Sequence, residues 1–178
     1  MRSHNFSLQS FKPVNIDLQI TGEVARENHI LTVHYILKGD LDKIEIPPTE
    51  KLPIRKNELW ETTCFEFFLG RHYSSHYWEF NLSPSGDWNV YRFEDYRKTM
   101  ELENSVHSLP FNVLRDANAL FLGLELDLHE LDTTVNENFD ISIATVIKHK
   151  DGNISYWAVE HCGQEADFHL RESFLFYV

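Results

Sequence analysis

Apolar residues recur at every second position along most of this chain, a pattern that commits it to strands with one dry face. Ile16, Leu18 and Ile20 alternate with polar neighbours, as do Leu31, Val33, Tyr35 and Leu37, and the turn around Arg26-Glu27-Asn28 joins the two runs as a hairpin. Leu120, Leu122, Leu124 and Leu126 form a third such run; Ile141, Ile143, Thr145 and Ile147 form a fourth. Asp151-Gly152 marks a tight turn before a strand over 154–159. The pattern also predicts a short strand over 40–46, an exposed loop in PPTEKLPIRKNE, and a long apolar strand from Trp60 to Leu69. The polar segment 94–110 is expected to be irregular, with one helical turn at Tyr96–Glu101, and the tail FHLRESFLFYV to close a sheet edge. No amphipathic pattern longer than about two helical turns fits anywhere. About ten short strands with regular turn signals imply an all-β fold: an antiparallel β-sandwich of jelly-roll or immunoglobulin-like type, with a closed up-and-down barrel as the alternative. No repeat or linker divides residues 1–178, so they are expected to form one domain.

The densest aromatic stretch is YWEFNLSPSGDWNVYRF, Tyr77 to Phe93, a hairpin around Ser83–Asp87. That turn sets a register pairing Leu82 with Trp88, Phe80 with Val90 and Trp78 with Arg92. The other face then carries Asn81 with Asn89, Glu79 with Tyr91 and Tyr77 with Phe93; a slip of one residue would mix the two sets. The preceding strand splits the same way. Thr63, Phe65, Phe67 and Leu69 lie on one face; Trp60, Thr62, Cys64, Glu66 and Phe68 lie on the other. Placed side by side, the second faces bring Glu66, Glu79 and Asn81 together with Trp60 at a rim. Carboxyls and amides pair with vicinal hydroxyls, and an aromatic plane covers the C–H face of a sugar ring. The same polarity would also arise if that face met only solvent or a protein partner.

The segments ELWETTCFEFFLG, YWEFNLSPSGDWNVYRFEDYR and SYWAVEHCGQEADFHLRESF resemble the DOMON-like superfamily, and the likeness extends over about residues 10–178. That superfamily groups family-nine carbohydrate-binding modules with cytochrome-type DOMON domains, and the strings are most like a bacterial subgroup. The resemblance implies a β-sandwich. In the carbohydrate-binding branch a Trp followed six residues later by a Glu holds a terminal sugar, and a late Trp completes an aromatic sandwich. Trp60, Glu66 and Trp157 match these positions, and Arg92 is the implied charged donor. The acidic pair that follows the first Trp in that branch is here Glu61-Thr62, a departure. In the haem branch a Met and a late His ligate the iron, which would be Met100 and His169 here.

Charge narrows the partners. A formal net charge of −12 repels a phosphate backbone, so neither nucleic acid nor an anionic membrane is an expected partner. No signal-peptide pattern or apolar run of about 18 residues occurs, and a cytoplasmic location is expected. Cys64 sits in an apolar run and is expected as a buried thiol, not bridged to Cys162. His72 and His76 fall in a turn without a third ligand, so no metal is expected there. Glu66 and Glu79 could act as a glycosidase pair. The reading favoured from sequence is a non-catalytic binder of a small carbohydrate without a cofactor, using Trp60, Glu66, Glu79, Asn81, Asn89, Tyr91, Arg92 and Trp157, with haem as the alternative.

Overall fold

The computed structural model describes residues 2–131, 133 and 137–178. In chain order the strands are β1 (Arg2–Ser7), β2 (Gln9–Ser10), β3 (Leu18–Glu27), β4 (Ile30–Gly39) and β5 (Cys64–Arg71). There follow β6 (Tyr77–Leu82), β7 (Trp88–Phe93), β8 (Glu101–Leu102), β9 (Phe111–Arg115) and β10 (Ala119–Asp127). The last three are β11 (Phe139–Lys148), β12 (Ile154–Ala158) and β13 (Phe176–Tyr177). They form two antiparallel sheets, a β-sandwich and not a closed barrel. One sheet has the order β1-β3-β4-β10-β9; the other runs β2-β12-β11-β5-β6-β7-β8, with β13 also pairing to β11. No helix among the described residues is long and apolar enough to cross a membrane.

The period-two reading holds most plainly in the five-stranded sheet. β4 pairs along its whole length with β3 and β10, and Leu31, Val33, Tyr35 and Leu37 are buried while His34 and Lys38 are exposed. These side chains pack against Phe65, Phe67, Phe80, Leu82 and Val90 of the second sheet, the main core. Tyr35 carries its hydroxyl across this interface to the backbone carbonyl of Glu66, 2.7 Å away. Phe67 and Phe80, both fully buried, stack at 4.2 Å and 8°.

The second sheet departs from the expected alternation. Every residue of β6, and nearly every one of β5, β7 and β11, is buried, so its central strands are dry on both faces. The cover on the outer face is the irregular segment after β12. Its Phe168 and Phe174 pack with Phe68, Tyr77, Tyr91, Phe93 and Val146 in a second, smaller cluster that Trp60 also joins. The polar row of the hairpin therefore lies under a lid of protein, not against bulk solvent.

Several local expectations are corrected. Residues 40–46 are not a strand: Gly39 adopts φ of +121°, and the amide and the Nζ of Lys43 both bond Asp40 to close the turn Leu41–Lys43. Only Ile44 makes a bridge, to His149. The strand expected from Trp60 begins at Cys64, because Glu58 enters the left-handed region at φ 61° and starts a 3₁₀ turn over Leu59–Glu61. Trp60 thus sits on a turn above the sheet. No helical turn forms at Tyr96–Glu101. Asp95 bonds the Tyr96 amide and Lys98, Arg97 and Thr99 take positive φ, and the chain enters β8 at Glu101. Thirteen strands are described against about ten expected; three of them, β2, β8 and β13, have only two residues. The tail does close an edge, pairing Phe176 and Tyr177 with the part of β11 that β12 leaves open. Both cysteines are free, Cys64 buried and Cys162 exposed.

Candidate functional site

The hairpin has the register its turn dictates: Asn81 opposes Asn89, Glu79 opposes Tyr91, and Trp78 opposes Arg92. β5 lies alongside with Glu66 opposite Asn81 and Phe68 opposite Glu79. Two acids and an amide are therefore neighbours on one buried sheet face. Glu66 is 3% exposed, Glu79 5% and Asn81 0%.

Above them opens a cleft of about 320 Å³. Glu66, Glu79 and His169 give it polar groups, Trp60, Phe93 and Phe168 give it aromatic walls, and Arg97 and Met100 also line it. Such a volume falls at the lower end of small-ligand sites. A larger hollow of about 770 Å³ lies between the segment from Phe11 to Ile16 and β12. On its β12 side polar groups satisfy one another: His149 meets the Ser155 hydroxyl, and Asn153 bonds Asp151. It lacks buried acids, and the smaller cleft is the better candidate.

One chain of polar contacts organises the cleft. The Arg97 amide donates to the Tyr77 hydroxyl oxygen at 3.1 Å, which leaves the hydroxyl proton for His169 Nδ1, 2.9 Å away. The proton on the imidazole then resides on Nε2, which stands 3.6 Å from Glu79 Oε2. Glu79 Oε1 accepts from Asn81 Nδ2 at 2.8 Å, and Asn81 Oδ1 receives the Cys64 thiol at 3.6 Å. Glu66 Oε1, in contrast, is buried with no partner among the described residues.

Burial sets the protonation states. It pushes Glu79 up from 4.5 to about 7, although the Asn81 amide and the Arg97 charge pull the other way. Burial, reinforced by the negative charge of Glu79 and opposed by the neighbouring Cys64 thiol, raises Glu66 well above the usual carboxylate range. Burial, with the Arg97 charge in support, lowers His169 from 6.5 to about 4. The cleft therefore presents two carboxyls that hold their protons more tightly than free ones, Glu79 near its midpoint at neutral pH, beside a neutral imidazole, a mixture of donors and acceptors.

The structure brings some of the eight sequence-predicted residues together and separates others. Trp60, Glu66 and Glu79 line the cleft. Asn81 and Tyr91 stand behind them; Asn81 holds Glu79, and the Tyr91 ring lies 5.8 Å from that of Trp60. Asn89 turns to the loop before β5, donating to Asn57 Oδ1 and the Tyr91 hydroxyl, both at 2.8 Å. Arg92 is exposed on the row opposite to Glu79 and pairs with Glu101. Trp157 belongs to the main core between the sheets, because β12 pairs it with Thr145, which in turn faces Phe65. Met100 and His169, singled out as haem ligands, both line the cleft. Sequence reasoning missed Arg97 and Phe168. Arg97 reaches the cleft by pairing with Asp167 at 2.9 Å, a contact 70 residues apart that no local spacing announces.

No protein-family model matches the sequence, and no curated protein matches it. Among solved structures, the fold is similar to a protein from Bacteroides uniformis ATCC 8492 described as a "putative carbohydrate-binding protein". The match has a TM-score of 0.67 and covers 96% of this chain and 84% of that one. At 12% sequence identity the likeness establishes a shared fold and nothing finer.

Proposed function

We propose that this protein is a non-catalytic binder of a small neutral carbohydrate, held in the cleft between Trp60 and Phe168. The observation that carries the reading is Glu66 Oε1, a buried polar atom left without a partner in the wall of a cleft. An unsatisfied buried oxygen costs about 1–3 kcal/mol, and a ligand hydroxyl would recover it. Around it, Glu79 and His169 offer an acceptor and a donor for adjacent hydroxyls, and Trp60 offers a ring face. The description of the Bacteroides protein and the DOMON-like resemblance of the sequence point the same way.

A haem ligated by Met100 and His169 fits this donor set poorly. His169 has Tyr77 on one nitrogen and Glu79 facing the other, and two carboxyl groups occupy the wall where a porphyrin needs apolar contacts.

Titration with neutral mono- and disaccharides, followed by tryptophan fluorescence and calorimetry, tests the reading. Saturable binding by the wild type, lost in Trp60→Ala and weakened in Glu66→Ala, is expected. The absence of a saturable response to any sugar would refute it. Turnover of aryl glycosides that disappears in Glu66→Gln would replace binding by hydrolysis.

A further inference from the structure

At one end of the five-stranded sheet the turn between β3 and β4 meets the end of β10. The backbone holds the two together: Asp127 pairs with Ile30, and the Leu128 amide donates to the His29 carbonyl at 2.8 Å. A 3₁₀ turn over Leu128–Leu131 follows and buries Leu128 and Leu131, while His129 remains exposed beside a half-exposed Asp127. The His129 amide donates to Asp127 Oδ1 at 2.9 Å, which orients the carboxylate. Three side chains converge as a result, each with one ligand atom within 4.8 Å of the other two. His129 Nδ1 is 3.2 Å from Asp127 Oδ1, His29 Nε2 is 4.0 Å from Asp127 Oδ2, and the imidazoles stack at 4.6 Å and 19°.

We propose that His29, Asp127 and His129 bind a divalent transition-metal ion of the zinc class. Two imidazole nitrogens and one carboxylate oxygen suit Zn²⁺, Ni²⁺ or Cu²⁺, whereas Ca²⁺ and Mg²⁺ require oxygen ligands. Bonds of about 2.0–2.2 Å to a tetrahedral ion set neighbouring ligand atoms roughly 3.3 Å apart. Of the three ligand pairs, His129 with Asp127 already stands at that spacing and His29 with Asp127 closes to it by less than about 1 Å; the stacked imidazoles must turn so that both lone pairs meet the ion, a rotation within reach of side chains this exposed. Three protein ligands leave a fourth position, which water would fill. The neighbouring Glu130, close enough to Asp127 and His107 to sense both electrostatically, could also take it. An ion pair between Asp127 and a histidine explains one contact at a time and contributes little at such exposure. It does not account for three ligand side chains brought together from two elements, with the carboxylate oriented by a backbone amide. The site lies on a different sheet from the carbohydrate cleft, and its bound ion would tie the β3–β4 turn to β10 and raise stability by mass action.

The test uses the full chain, free of any affinity tag and treated with chelator, titrated with Zn²⁺ by calorimetry. The expected result is one ion per chain with affinity in the micromolar range or tighter. His29→Ala and His129→Ala should each weaken it by at least about tenfold, the scale of a lost metal-site interaction. His76→Ala, in a separate loop, should leave it unchanged. Circular dichroism in the presence of chelator should show all three variants folded. No saturable zinc binding, or binding that survives His29→Ala combined with His129→Ala, overturns the assignment; survival would place the ion on other histidines of the chain.

Discussion

Nε2 of His169 stands 3.6 Å from Oε2 of Glu79, so the segment that closes the chain reaches an acid in the middle of the aromatic hairpin. The contact is longer than a hydrogen bond and is not an ion pair, since the imidazole, pushed down to about 4, is neutral wherever Glu79 is ionised. It joins the lid to the floor of the cleft through groups whose proton affinities folding has changed.

That change makes stability depend on pH in a definite direction. Glu79 binds its proton more tightly folded than unfolded, so its contribution is fully present below about 4.5 and is lost as pH rises through about 7. Glu66 acts in the same sense. His169 acts in the opposite sense: lowered to about 4, it adds stability as pH rises from there to about 6.5. Comparing Glu79→Gln with the wild type reads the first effect together with the relief of Glu66, which the Glu79 charge raises. Between about pH 4.5 and 8 the variant should gain on the wild type by up to about 3 kcal/mol, from the linkage between pKa and stability. Urea midpoints at several pH values measure this, and a difference that stays constant with pH contradicts it.

Asn81 holds Glu79 from below, and removing it has two separable consequences. Asn81→Ala leaves buried polar atoms without their partners and should cost about 1–3 kcal/mol. Because the amide favours the ionised form, its loss should also raise Glu79 above its present value near 7. Carboxyl carbon NMR during a pH titration reads the second effect directly; a midpoint that stays put or falls would show that Asn81 does not tune the acid.

The hairpin's most conspicuous aromatics serve the fold. Phe80→Ala removes a fully buried ring stacked on Phe67 and should destabilise by about 3–5 kcal/mol. Trp60→Ala, at a half-buried turn position, should cost much less while abolishing the proposed sugar binding. Denaturant unfolding and ligand titration on the same two variants separate the roles, and equal stability losses would contradict the division.

Two arginines five residues apart should behave differently. Arg92→Ala removes only an exposed pair with Glu101 and should leave binding unaltered. Arg97→Ala removes a cleft residue and the tie to Asp167, so it should weaken binding and speed amide exchange over residues 165–174. Hydrogen-exchange mass spectrometry decides the second point; unchanged protection there would mean that the lid is held by its other contacts, among them Tyr77 with His169, Tyr96 with Asp167 and the packing of its phenylalanines.

The hairpin register and the adjacency of Glu66 to Asn81 were legible because both follow from period-two alternation and one turn, which are local properties. The face on which Trp157 lies was not legible. In ISYWA it depends on which residue of β11 it opposes, and resemblance had assigned it to the cleft whereas pairing places it in the core.

The sequence by itself determined the long alternating strands, the main core they bury and the polar row of the hairpin, since each rests on side chains that alternate along a few consecutive residues. Only the tertiary structure decided that this row is buried under Phe168, His169 and Phe174, that Arg97 lines the cleft above it, and that Asn89 and Arg92 do not. Tyr77 and His169 lie 92 residues apart, and a contact at that range carries no periodicity; packing alone selects it. The same packing removed water from Glu66 and Glu79, and their chemistry follows from that desolvation.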